Sequence, residues 1–268
     1  MMPHSNFIKT TVLLLFLFTT AFISRPAMGT EKVVKLATLP DFPPFSFVIE
    51  SYDFDAEIIP PGQNSNRLIG SSWDIVRESF HAMGYTIQLQ IMPWKRALLL
   101  TEKCEIDILF PAGKNTARQQ IYQYSTEPIN TINYVIYVRP DSPLQWDGLA
   151  PLKGLLIGVK KGWTYGDKWN NADHFIKFNV DGVIQGFKML DKKRLDAFAG
   201  YEEIFDYNLQ QVKWKNKYKK LAYFGGSLEY PIGCKGNESV KEKLADFKQG
   251  KQIITDNGLL ELISQRWQ

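Results

Sequence analysis

Histidine is nearly missing from this chain, with three in 268 residues, and the three stand apart. His4, His81 and His174 share no spacing that would hold a metal ion or set an acid–base pair beside a nucleophile. No Gly-x-Ser-x-Gly elbow and no phosphate-binding glycine loop accompanies them. Catalysis and resident cofactors find little footing in such an inventory. Cysteine is as scarce. Cys104 and Cys234 are too few for a metal site and too distant in sequence to carry a local spacing signal. Export would permit a disulfide between them, and two separate buried thiols are the alternative. An excess of one charge is also lacking: 32 Lys and Arg face 28 Asp and Glu. That balance gives no reason to expect nucleic acid or a charged membrane surface as partner.

Long apolar runs are absent too. Val12 to Phe18 is unbroken but far short of the roughly 20 residues of a membrane span. Lys9 precedes it and Ala27-Met28-Gly29 follows, which is the pattern of a secretory signal peptide cut after Gly29. No cysteine stands near that cut, so a lipid anchor attached there is excluded. The expected mature protein is exported, periplasmic and long enough for two lobes of ordinary size. Aromatic residues, by contrast, are plentiful. Seven Trp, 12 Tyr and 17 Phe exceed what a core of this size requires and leave some for a binding surface.

Periodicity organises the rest. Val33 to Leu39 reads as a strand, Ser72 to Met83 as a helix stopped by Gly84, and Thr86 to Ile91 as a strand. Pro93 then opens a helix to about Lys103, and Ile106 to Phe110 is a buried strand. The order returns from Leu155: strand to Val159, helix Thr164 to Asn171, strand Phe175 to Val180, helix Gly182 to Lys192, strand Leu195 to Ala199, helix Glu202 to Trp214. Two such units predict an α/β protein of two lobes, each a mostly parallel sheet flanked by helices. Ile106-Asp107-Ile108-Leu109-Phe110 and Leu195-Asp196-Ala197-Phe198-Ala199 correspond residue by residue and should feed one cleft. Asn133 to Val138 and Tyr223 to Ile232 supply two hinge crossovers. The expected division is 1–29 signal peptide, 30–138 lobe 1, 139–225 lobe 2 and 226–268 a return to lobe 1. In that return, Ser239 to Glu242 reads as a capping box. Glu50 to Gly70, with Pro60-Pro61-Gly62 and no steady period, reads as a long loop on the cleft rim or, equally, as a floppy surface insertion.

Several residues carry chemistry. Arg118 falls in the first turn of a short helix after a strand, behind the tight turn at Gly113-Lys114, with Thr116 or Asn115 as N-cap. A guanidinium fork there predicts a carboxylate receptor. Phe42 and Phe45 are presented by a proline-stiffened turn, and Phe45 suits the core better than Phe42 does. Trp94 suits the pocket, and Arg96, about 200° from it around the helix, is a rim contact or a structural ion pair. Trp163 and Thr164 follow the first strand of the second lobe and offer donors from the other side. Tyr201 and Glu202 are candidates for the ligand's far end, although Glu202 also favours its own helix's N-terminus.

Taken together, Asp41 to Phe45, Gly70 to Asp74, Asp107 to Pro128, Leu152 to Tyr165, Lys193 to Ala199 and the tail from Gly233 resemble the bacterial extracellular solute-binding proteins of family 3. These are type II periplasmic binding proteins best known for polar amino acids. The resemblance implies that Arg118 binds a ligand carboxylate with Thr164 assisting, that Phe42 stacks on the ligand, and that Trp73 and Trp94 belong to the site region. Two positions depart from the amino-acid binders. Gly113 stands where Ser or Thr is usual, and Tyr201 stands where an aspartate binds the α-ammonium. The Pro-Trp-Lys-Arg-Ala element marks a branch of the family. The expected activity is a monomer that closes on a small carboxylated solute and presents it to an ABC-type permease. The rivals are a dehydratase-like enzyme using Glu202 or Glu203, and a ligand-sensing receptor.

Overall fold

The computed structural model describes Met1, residues 32–49 and residues 55–267. The expected signal peptide, Met1 aside, lies outside the described residues. The first half contains β1 (Lys32–Thr38), β2 (Asp41–Phe42), β3 (Ser46–Val48), β4 (Glu57–Ile59), β5 (Leu68–Ile69), α1 (Ser71–Ala82) and β6 (Tyr85–Ile91). It continues through α2 (Trp94–Glu102), β7 (Ile108–Gly113), α3 (Thr116–Ile121) and β8 (Tyr122–Tyr124), and β9 (Asn130–Val138) leads out. The second half holds β10 (Leu156–Lys160), α4 (Asp167–Asn170), β11 (Ile176–Val180), α5 (Val183–Asp191), β12 (Ala197–Tyr201) and α6 (Glu202–Gln211). The 16-residue β13 (Lys219–Cys234) returns to the first half, where α7 (Glu238–Asp256) and α8 (Leu259–Arg266) finish the chain.

Hydrogen bonding gives the order β11-β10-β12-β9-β13-β7-β1-β6-β4. Two parallel triplets, β6-β1-β7 and β11-β10-β12, are therefore one per lobe, as the βαβ periodicity predicts. Between them runs an antiparallel ribbon of β9 and β13, paired from Lys219↔Val138 to Glu229↔Asn130. The two crossovers are thus neighbours, and they join the lobe sheets into one.

The lobes repeat one structural device. Asp107 Oδ2 accepts the backbone N–H of Lys35 at 2.8 Å, and Asp196 Oδ2 accepts that of Leu156 at 2.8 Å. In each case the backbone N–H of the aspartate returns a bond to the same partner's carbonyl. Each aspartate ties its chain to the central strand of its own triplet, at mid-strand Lys35 in β1 and at the first residue of β10, which explains the matching sequences.

In the first lobe, Trp73, Val76 and Phe80 of α1 recur at helical spacing, and all are fully buried. Gly70 precedes that helix with φ 138°, and a Cβ there would meet the Phe45 carbonyl oxygen at 2.2 Å, so neither the dihedral nor the space admits a side chain. Asp74, also buried, holds Arg77 at 2.7 Å and accepts Trp267 Nε1–H at 2.9 Å, which ties the chain's end back to α1. Phe187, Phe198, Phe205 and Trp169 form the centre of the second lobe's core. Cys104 and Cys234 are bonded as a disulfide, which settles the alternative left by sequence.

Three local expectations are corrected. Within Glu50 to Gly70, β4 pairs antiparallel with β6 at the far edge of the sheet, and Glu57 binds Ser65, the Asn66 amide and Arg67, so the described part is tied down away from the cleft. The cap of α7 is Asn237, whose Oδ1 accepts the Val240 amide at 3.1 Å, and the helix starts before the Ser239 box. Helix α4 begins at Asp167, so Thr164 lies in a turn rather than at a helix start.

Candidate functional site

The ends of β7 and β12 open onto one cleft, of about 780 Å³, together with the middle of the ribbon. Its lining draws on both lobes: Phe42, Trp94, Gly113 and Arg118 from one, Lys160, Trp163, Thr164 and Tyr201 from the other, and Ser227 and Glu229 from β13. The size suits a small solute.

Arg118 is positioned from below. Asn115 caps α3 by accepting the Arg118 amide at 2.8 Å, which resolves the sequence alternative in favour of Asn115. The guanidinium donates through Nη1 to the Gly113 carbonyl at 3.0 Å and lies 5.5 Å from the centre of the Trp94 ring. Tyr124 Oη donates to the same carbonyl at 3.1 Å. Among the described residues Arg118 forms no ion pair. A half-buried cation held by a carbonyl and a ring keeps most of its donors for another acceptor.

Opposite it stands an aromatic group. Trp163 and Tyr201 stack at 4.1 Å with an interplanar angle of 11°, and Phe42 meets both edge-on at 6.3 and 6.2 Å. The Phe42 contacts join the two lobes. Tyr201 donates its hydroxyl hydrogen to the Thr164 carbonyl at 2.9 Å, so the phenol braces the turn that carries Thr164. In that turn the amides of Trp163 and Tyr165 are already bonded, to Lys160 O and Asn170 Oδ1. Those of Gly162 and Thr164 make no hydrogen bond among the described residues.

The cleft brings together Phe42, Trp94, Arg118, Trp163, Thr164 and Tyr201, and four other candidates lie elsewhere. Phe45 is buried behind Phe42 at 5.4 Å, with its carbonyl spent on the amides of Ser72 and Trp73. Trp73 is fully buried, stacked on Phe110 and bonded to Asn64. Arg96 is exposed and outside the lining, where its neighbour Lys95 takes the rim position. Glu202 is held by Lys220 at 2.6 Å and by Tyr223 and Asn133, in a polar cluster outside the lining. Its carboxyl is accordingly lowered: burial works against that, and the bonds from Lys220 and Tyr223 prevail.

Glu229 escaped the sequence reading. It is 5 % exposed, and burial pushes its carboxyl up to about 7 while the Arg118 charge pulls it back. Its sequence signal was a lone acid in an otherwise uncharged stretch, Phe224 to Cys234, assigned to a crossover. In total the lining carries Lys95, Lys114, Arg118, Lys160 and Lys161 against Asp41, Asp167 and Glu229, a net positive cleft.

Comparison with known proteins agrees with this architecture. The arginine-, lysine-, histidine-binding protein ArtJ from Geobacillus stearothermophilus is similar at 20 % identity and TM-score 0.65, over 88 % of this chain and 95 % of that one. An ancestral arginine-binding protein bound to arginine gives 18 % identity and TM-score 0.68, over 89 % and 99 %. A histidine kinase sensor domain with similarity to periplasmic binding proteins gives 16 % and 0.68, over 88 % and 96 %. At such identities these likenesses speak for the fold. No curated protein sequence matches. The profile of the bacterial extracellular solute-binding proteins, family 3, matches residues 34–268, and the chain, with a parallel triplet in each lobe and a cleft lined by both, belongs to that family.

Proposed function

We propose that this protein is a periplasmic receptor that closes its lobes on a small carboxylated solute, amino-acid-like or an organic acid, and hands it to an ABC-type permease. The single observation that carries the reading is Arg118, a guanidinium in an interlobe cleft with no acid paired to it among the described residues. A carboxylate can take its remaining N–H donors in the forked geometry that guanidinium favours. The Gly162 and Thr164 amides approach from the other lobe, so a bound anion would join the two halves and favour closure. Support also comes from the net positive lining and from similar structures, of an ancestral arginine-binding protein, that hold glutamine and arginine. The dehydratase-like alternative needs Glu202 or Glu203 in the cleft, and neither lines it.

Titration calorimetry with a panel of amino acids and small organic acids tests the assignment. Charge-assisted hydrogen bonds contribute roughly 1.5 to 3 kcal/mol each, so Arg118→Ala should weaken the tightest ligand by about a hundredfold or more while the thermal unfolding midpoint barely moves. Unchanged affinity in that variant would remove Arg118 from the site.

A further inference from the structure

Glu229 sits on the floor of the cleft, in register with Gly113 of β7 and Asn130 of β9. Among the described residues its carboxylate accepts no hydrogen bond and forms no ion pair. Positive charge reaches it from Arg118 of α3, and the other titratable groups facing it are the phenols of Tyr124 on β8, Tyr134 on β9 and Tyr201 on β12. Those phenols are held neutral by their own burial. Gly113 makes room for the carboxylate, since a Cβ at that position would stand 3.2 Å from Glu229 Oε1 and 3.4 Å from Ser227 Oγ. The missing side chain at 113 and the acid at 229 are therefore two halves of one arrangement.

An acid withdrawn from water without a donor is costly, and a protein commonly retains one where something else completes it. Here the open side of that carboxylate is the cleft itself, where the bound solute would be. Asp41 and Asp167, the other acids of the lining, are exposed, so among the described residues Glu229 is the one buried acid that the cleft offers to a positive group. We propose that Glu229 is the second charge-reading residue of this cleft, and that the solute carries, besides the carboxylate taken by Arg118, an ammonium or guanidinium group that seats on Glu229. This assignment rests on the Arg118 reading and narrows the ligand to a solute of both charges. It also moves recognition of the positive group from the second lobe, where Tyr201 offers only a bonded phenol, to the hinge ribbon.

Matched pairs of probes separate the two assignments. Calorimetry at pH 8 would compare L-alanine with propionate, γ-aminobutyrate with butyrate, γ-guanidinobutyrate with valerate, and 6-aminohexanoate with hexanoate. In at least one pair the cationic member should bind about ten- to a hundredfold more tightly, the worth of one charge-assisted bond. Glu229→Gln should erase that preference, Glu229→Asp should keep part of it, and Arg118→Ala should weaken both members of the pair. The proposal is overturned if the uncharged-tail acids bind as well as their partners, if Glu229→Gln weakens both members equally or neither, or if no cationic carboxylate binds at millimolar concentration. Loss of both members in Arg118→Ala with no effect of Glu229→Gln would sink Glu229 alone and leave the carboxylate site standing.

Discussion

Replacing Glu229 by Gln should make the ligand-free protein more stable, and only above a certain pH. The buried carboxyl has its pKa pushed from 4.5 to about 7, so the folded chain keeps a proton that the unfolded chain gives up. The benefit is whole below about pH 4.5 and is lost as pH rises through 7. At roughly 1.4 kcal/mol per pH unit of separation, the ionised carboxyl costs the folded state about 3 kcal/mol by pH 8. Glutamine does not titrate and escapes that cost. Arg118 stays charged throughout, and Tyr124, pushed up to about 12, stays neutral, as do Tyr134 and Tyr201, which are also raised. Glu203 is pushed to about 7 as well, mainly by burial, but it is present in both proteins and cancels in the difference. Urea unfolding at pH 5 and pH 8 measures the effect directly. The variant should gain about 2.5 kcal/mol on wild type between the two conditions, equivalent to roughly 5–10 °C in a thermal midpoint. An identical pH dependence in both proteins would show that the carboxyl is solvated or paired, and the account of the cleft floor would fail with it.

Two further perturbations probe the scaffold. The Cys104–Cys234 bridge spans 130 residues of sequence, so replacing both cysteines by serine should lower stability by about 3 to 5 kcal/mol through the loop-closure term; a loss under about 1 kcal/mol in chemical unfolding would contradict this. Gly250 of α7 lies so close to α1 that a Cβ would stand 1.9 Å from the Ser79 carbonyl oxygen, and Gly250→Ala should cost about 1 to 3 kcal/mol despite its better helix propensity. A melting temperature at or above wild type would refute that packing.

The architecture was legible because parallel sheets advertise themselves. Buried strands such as Ile108 to Phe110 and Ala197 to Ala199 read as apolar runs, and the helices between them keep one apolar face. Arg118 was legible because strand, turn and cap lie within a dozen residues. Glu229 was not, because nothing local distinguishes it: its meaning comes from Gly113, over a hundred positions away, across a strand pair. Trp73 fails in the opposite way, since being beside a recognisable stretch does not fix which face of α1 a side chain takes. Asn237 was passed over because Ser239 offers a similar local cap, and only the direction in which β13 delivers the chain decides between them.

The paired ribbon has a mechanical consequence. Two separate linkers could swivel independently, whereas strands bonded along nearly their whole length must flex as a single leaf. Its give should concentrate at the interruptions in the pairing, between Lys220 and Ala222 and between Tyr223 and Gly225. Glu229 lies on the stretch that stays anchored to β7, so a solute held there would touch the spring itself.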